Sequence, residues 1–225
     1  MRAVVGLARR WPSALGAILF DAGGRAKSVR STSTFKPGRG TGDAGKSSLF
    51  NNERRWKSDP VFEALGDLDE LSSHLGVCRE QLSAGNSAEE ADLLERDLAS
   101  HVATPASSSS SSRVQLTEFD VANVDWLNAQ IDVYGSRAPA LRQFILPGGG
   151  PTAAQIHLAR AVTRRAERRV AALLQENAVS ADSLRFLNRL SDLLFVLARF
   201  VCLSTGGVEK IYRRPINSNK KKKEK

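Results

Sequence analysis

The chain has 225 residues, 41% of them hydrophobic and 6% aromatic, with a formal net charge of +9 and a sequence pI near 10.0. The charge sits at the ends: residues 1–40 hold eight basic side chains against the single acid Asp21, residues 210–225 hold eight against Glu224, and the stretch between is net negative. The basic pI is therefore no argument for a nucleic-acid partner, no apolar run is long enough to span a bilayer, and the roughly 170 central residues suit one globular domain.

Residues 1–37 are expected to be a disordered mitochondrial presequence, addressing the chain to the matrix. They mix Arg and Lys with Ser, Thr and apolar residues and hold almost no acid. The alternative is a secretory signal, with Arg9 and Arg10 ahead of the short run Trp11–Phe20; against it, basic Ser-rich sequence continues well past any cleavage point. Gly40–Ser47 reads G-T-G-D-A-G-K-S and satisfies the P-loop expression letter for letter. A true P-loop joins a buried strand to a helix, whereas here polar, breaker-rich FKPGR precedes and LFNNERRWK follows. The segment reads instead as a glycine-rich phosphate loop on another fold, with Arg54, Arg55 and Lys57 as further cations, or as a mobile flank of the domain.

Helix signals dominate after Asp59. Asp59-Pro60 is an N-cap followed by proline at the first helical position, and the helix runs through Leu65, Leu68, Leu71 and Leu75 to about Leu82. Ser87 with Glu90 forms a capping-box pattern ahead of Leu93, Leu94, Leu98 and Val102. Residues 104–113, with six consecutive serines, form a loop with nothing to bury. Thr117 with Asp120 is expected to open a third helix carrying Val124, Leu127 and Ile131 on one stripe. Phe144–Gly150, FILPGGG, is a rigid turn before a fourth helix from Pro151 to about Asn177, and Ser180 caps a fifth carrying Phe186, Leu187, Leu190, Leu193, Leu194 and Leu197. No βαβ alternation appears, so the expected fold is all-α, a five-helix up-and-down bundle of the ferritin-like kind with no sheet. Residues 38–214 form the domain, and 215–225 a disordered Lys-rich tail.

The fourth helix carries the most informative stretch, RAVTRRAERR, Arg160–Arg169. At about 100° per residue, Arg160, Arg164, Glu167 and Arg168 share one side, opposite Val162, Ala166, Val170, Leu173 and Leu174. Like charges at this spacing repel, so the face reads either as a site for polyphosphate or carboxylate or as a solvated basic surface. On the fifth helix Asn188, Asp192 and Arg199 share a narrow stripe, compatible with nucleotide recognition and equally with an inter-helix polar network. Asp69 and Glu70, amid the apolar residues of the first helix, could pair with an arginine of the fourth, within the chain or across a subunit interface. Cys78 and Cys202 fall within helical patterns and are expected as buried, reduced thiols. With His74, His101 and His157 scattered, no protein metal site is expected.

Seven collinear segments, TGDAGKSS (41–48), ERRWK (53–57), DELSSHLG (69–76), FILPGG (144–149), RAVTRRAERR (160–169), FLNRLSDLLFVLARF (186–200) and EKIYRR (209–214), together resemble the PduO-type ATP:cob(I)alamin adenosyltransferases, a family that includes the mitochondrial enzyme of animals. The resemblance implies a homotrimer with active sites between subunits, using ATP with Mg2+ and cob(I)alamin as substrates, with K+ a further candidate ion. It implies that Arg39, Gly40, Thr41, Gly42, Ser47 and Ser48 wrap the triphosphate, with Lys57 beside them. Arg164, Arg165, Ala166, Glu167 and Arg168 would hold ATP from the fourth helix and Asn188 from the fifth. Asp69 would bridge to Arg160 of a neighbouring subunit, and Phe144 would press on the lower face of the corrin and exclude its dimethylbenzimidazole ligand. A cob(II)alamin reductase would supply the substrate and methylmalonyl-CoA mutase receive the product. Two departures stand out: Gly38, Arg39 and Gly40 replace the family's usual Y-T-K, leaving Arg39 or Lys46 to supply the missing charge, and Asn52 stands where glycine is favoured. The competing readings are a non-catalytic cobalamin carrier on the same bundle, and a P-loop ATPase or kinase, which would need a parallel sheet.

Overall fold

The structure, a computed structural model, describes residues 40–49, 51–85, 87–97, 119–176 and 178–213. The proposed presequence, Arg39, Thr117, the Ser-rich loop and the Lys-rich tail lie outside them. In chain order the elements are β1 (Lys46–Ser48), β2 (Arg54–Trp56), α1 (Pro60–Ala84), α2 (Ala88–Asp97), α3 (Ala122–Arg137), β3 (Ile145–Leu146), α4 (Pro151–Gln175), α5 (Ala181–Ser204) and β4 (Lys210–Ile211).

The caps explain where the long helices begin. Asp59 Oδ1 accepts from the Val61 N–H at 2.9 Å, and Pro60 occupies a position whose N–H would have no partner. Ser180 Oγ accepts from the Ser183 N–H at 3.2 Å at the head of α5. The third helix starts later than Thr117 suggests: it begins at Ala122, whose N–H is taken by Asp120 Oδ1 at 3.0 Å, so the aspartate of that pattern does the capping.

Burial follows the helical period. Val61, Ala64, Leu68, Leu71, Leu75, Cys78 and Leu82 form one stripe of α1 at alternating three- and four-residue steps. The most enclosed element is α5, whose Leu193, Leu194, Leu197 and Ala198 are wholly buried. Each such leucine contributes about 1.5–3 kcal/mol relative to exposure. Helix α4 packs between α5 and α1, α3 lies on α5, and α2 lies on α1. Cross-helix pairs fix the directions. Glu63 meets Arg169 and Gln155 meets His74, so α1 and α4 run antiparallel. Glu167 meets Asn188 and Arg160 meets Phe195, so α4 and α5 do too. Phe119 against Phe186 and Tyr134 against Phe200 set α3 parallel to α5. Helices α3, α4 and α5 therefore alternate up and down, with α1 parallel to α3 and α5.

The expectation of no sheet is corrected. Two short antiparallel ribbons flank the bundle, β1 with β2 and β3 with β4. Both are too short for a period-two pattern to show in sequence, and the second joins segments more than 60 residues apart. Each ribbon carries residues of the candidate site.

Candidate active site

The glycine-rich loop is built as a turn feeding a hairpin. The Asp43 N–H donates to Gly40 O at 3.1 Å and the Gly45 N–H to Gly42 O at 3.2 Å. Lys46, Ser47 and Ser48 then pair with Trp56, Arg55 and Arg54. The G-K-S end of the motif thus lies in a strand, not at a helix N-terminus, which removes the P-loop geometry. Arg54 closes the loop, donating to Thr41 O at 2.9 Å. Gly45 has φ 76, a conformation that favours glycine, and a Cβ there would crowd the Trp56 ring at 3.1 Å. The side chain of Lys57 lies over Gly42, with Nζ 3.2 Å from where a Cβ would stand, and the Lys46 ammonium sits 5.0 Å from the Trp56 ring centroid. Asn52 takes φ 68 in the hairpin turn, a left-handed conformation that asparagine tolerates better than most residues.

On α4 the five arginines divide into three groups. Arg165 and Arg169 turn toward α1: Arg165 Nε donates to Asp67 Oδ1 at 3.0 Å and its NH2 pairs with Glu70, while Arg169 lies 3.6 Å from Glu63 and 3.9 Å from Asp67. Arg164 and Arg168 face solvent; Arg164 has only a 3.9 Å contact with Glu167, and Arg168 has no ion pair among the described residues. Arg160 is half-buried over the Phe195 ring at 5.3 Å, and its Nε is enclosed without a hydrogen-bond partner. Burial, then the charge of Arg164, push its pKa down, opposed by Asp192. Glu167 is held by Asn188 Nδ2 at 2.9 Å, and Ser191 Oγ donates to Asn188 O at 2.9 Å. Ala166 is fully buried and faces the core. Asp69 is exposed and has no ion pair within the chain among the described residues.

The structure therefore brings Glu167, Asn188 and Arg164 together, and Gly42 and Lys57 together, while Arg165 engages α1. The stripe Asn188, Asp192, Arg199 does not act as one group: Asp192 pairs with Arg189 at 2.9 Å, and Arg199 pairs elsewhere.

Phe144 stands at the other end of α4, exposed, beside ribbon β3–β4. Its carbonyl accepts from the Tyr212 N–H at 2.8 Å, and the two rings meet edge to face at 6.1 Å. The turn behind it packs on α5: a Cβ at Gly149, φ 93, would overlap Cys202 Sγ. Arg199, buried on α5, donates from Nε and NH2 to Glu209 at 2.6 and 3.2 Å and from NH2 to Pro139 O at 2.8 Å. Tyr212 and Glu209 escaped sequence reasoning as site residues. One signal was present: an arginine inside the leucine-rich run of α5 needs a buried acid partner, and Glu209 is the first acid beyond the helix.

The fold and these two clusters define a helical-bundle protein with an anion-receptive cationic face and a separate exposed aromatic platform. The family model for cobalamin adenosyltransferase matches residues 39–201, and the chain belongs to that family. The corrinoid adenosyltransferases MMAB of Mus musculus and Homo sapiens are each 45% identical over 179 residues, spanning 77% of this chain and 76% and 72% of theirs. Among solved structures, a variant PduO-type ATP:corrinoid adenosyltransferase from Lactobacillus reuteri, complexed with cobalamin and ATP, superposes with TM-score 0.63 at 34% identity, covering 77% of this chain and 97% of that one.

Proposed function

We propose that this chain transfers the 5′-deoxyadenosyl group of ATP to the cobalt of cob(I)alamin, giving adenosylcobalamin and inorganic triphosphate. The observation that carries the reading is the division of the α4 arginines. Arg165 and Arg169 are neutralised by α1, while Arg164 and Arg168 stay free for an anion, beside a Glu167 carboxylate oriented by Asn188. Arg164 and Arg168, with Lys57 and the amides of the loop Gly40, Thr41, Gly42, Ser47 and Ser48, hold the triphosphate; Arg39 precedes that loop in sequence. Arg165 reaches phosphate only by sharing its guanidinium with Asp67 and Glu70. Ala166 contributes by packing, letting α4 sit close in the core.

The chemistry is a nucleophilic displacement. The cobalt(I) electron pair forms the Co–C5′ bond, the C5′–O bond breaks, and its electrons leave with triphosphate, so no side chain need act as nucleophile. Cations around the leaving group gain most as its charge grows, and holding C5′ in line with cobalt supplies the rest. About 20 Å of helix separates Pro151 from Arg164. Phe144 offers an apolar, non-ligating ring to the lower corrin face, which favours cobalt without a lower ligand and eases reduction of Co(II). Mg2+ is taken to travel on the ATP phosphates, which it binds in preference to an all-protein cage.

Assembly as a homotrimer with shared sites is supported by two charged groups with no ion pair among the described residues, the exposed Asp69 and the half-buried Arg160, whose guanidinium tip would pair with Asp69 across the interface. The matrix location rests on the basic, acid-poor N-terminal sequence. There the chain would take substrate from a cob(II)alamin reductase and serve methylmalonyl-CoA mutase.

The test is anaerobic: full chain, MgATP and chemically reduced cobalamin, following loss of cob(I)alamin absorbance. Adenosylcobalamin with equimolar triphosphate is expected; corrinoid binding without product would make the chain a carrier instead. Phe144→Ala should keep ATP binding and lose the four-coordinate Co(II) spectrum.

A further inference from the structure

We infer that Arg199 and Glu209 are positioning residues for the corrin platform, with one buried guanidinium tying down the chain ahead of each strand of the ribbon beside Phe144. The inference rests on the reading that Phe144 faces the corrin. Phe144 is almost fully solvent-exposed at 73%, so its own side-chain packing does not hold it in place. Its position is set by the backbone. On one side the chain enters from Pro139, whose carbonyl accepts from Arg199 NH2 at 2.8 Å. On the other, β4 pairs with β3 through Ile211 and Lys210, and Tyr212 N–H reaches Phe144 O. β4 in turn follows directly on Glu209, which takes two hydrogen bonds from the same guanidinium.

A planar, five-donor group is well matched to this role, because the fork holds a carboxylate with two N–H bonds and has donors left for a carbonyl. Arg199 is only 6% exposed and stands on the most enclosed of the described helices, so it references the platform to the core rather than to solvent. Three hydrogen bonds joining three segments (α5, the loop after α3, and the approach to β4) thus converge behind two exposed rings. Tyr212 shares the consequence, because its edge-to-face contact with Phe144 exists only while β4 is in register.

Four variants of the full chain test this: Phe144→Ala, Glu209→Gln, Arg199→Lys, and the double Phe144→Ala/Glu209→Gln. For each, ATP affinity, the four-coordinate cob(II)alamin signal by electron paramagnetic resonance, KM and kcat for cobalamin, and thermal melting are measured. Glu209→Gln is expected to hold ATP affinity within about threefold while cutting the four-coordinate signal by about tenfold and raising KM for cobalamin. Arg199→Lys, which keeps the charge but not the fork, should give the same split more weakly. In the double variant the loss should match Phe144→Ala alone, since residues acting through one another do not add. Multiplying losses in the double variant would overturn the inference, as would ATP affinity and the cobalt signal falling together with melting temperature. If Phe144→Ala loses the signal and Glu209→Gln keeps it, the positioning role falls and the Phe144 reading stands. If Phe144→Ala keeps it, both fall.

Discussion

Arg164 and Arg165 are neighbours in sequence, and the structure predicts opposite consequences from removing them. Arg164 is about half exposed and touches only Glu167, at 3.9 Å. Such surface contacts contribute about 0–1 kcal/mol, so Arg164→Ala should leave the melting curve almost unmoved. If Arg164 grips phosphate, its loss removes a charge-assisted hydrogen bond of about 1.5–3 kcal/mol, a roughly 10- to 150-fold weakening of ATP binding. Arg165 instead donates to Asp67 Oδ1 and Glu70. Asp67 is mostly buried, its Oδ2 already lacks a hydrogen-bond partner, and after Arg165→Ala only Arg169 at 3.9 Å would face it. Leaving that carboxylate short of donors costs about 1–2 kcal/mol, or roughly 2–8 °C in melting temperature for a chain of this size. Titration calorimetry with MgATP and a thermal melt on the same preparation decide the matter. Arg164→Ala binding ATP within about threefold of the parent would refute the phosphate assignment, and Arg165→Ala melting normally would refute the structural one.

Gly149→Ala places a Cβ against Cys202 at a positive φ and should destabilise the fold by roughly 1–3 kcal/mol while weakening the cobalt signal. Adding Cys202→Ala should restore only part of this, because the Cys202 Cβ itself lies 2.7 Å from the new carbon; full restoration would show that the sulfur alone sets the clash. His157, packed near Phe195, has its pKa lowered by burial first and then by Arg160, with Glu209 opposing. The folded chain therefore binds fewer protons than the unfolded one just below the ordinary histidine value. Stability present above about pH 6.5 is lost as pH falls from there toward the folded value. Urea melts between pH 7.5 and 5 should show this slope, and His157→Gln should flatten it; equal slopes in both proteins would place the proton elsewhere.

The helical scaffold was legible because its determinants are local. Asp59-Pro60 and Ser180 cap the helices they precede, and the leucine stripes of α1 and α5 face the core at helical spacing. The crowded arginine face was legible as a problem in electrostatics but not in its solution. Nothing in Arg160–Arg169 tells Arg165 from Arg164; the difference arises from the rotation of α4 against α1, which turns Arg165 to Asp67 and Glu70 and leaves Arg164 outside. The β3–β4 ribbon was not legible, since two-residue strands carry no pattern and their pairing depends on where α5 delivers the chain. Asn52 lies between these cases. Its left-handed backbone follows from a hairpin too short to turn otherwise, and that hairpin announced itself only as a glycine preference in the family.

The placement of α5 has a consequence for how the molecule is made. Among the described helices it is the most enclosed and comes last in chain order, and α3 finds its main packing partner in it. During synthesis the apolar stripe of α3, and the face of α4 turned away from α1, must therefore wait, uncovered, until α5 follows. At about 5–20 residues per second, that interval lasts several seconds. A stop codon within α5 would thus remove the main partner of α3 and one of the two partners of α4, leaving their apolar faces exposed to aggregation.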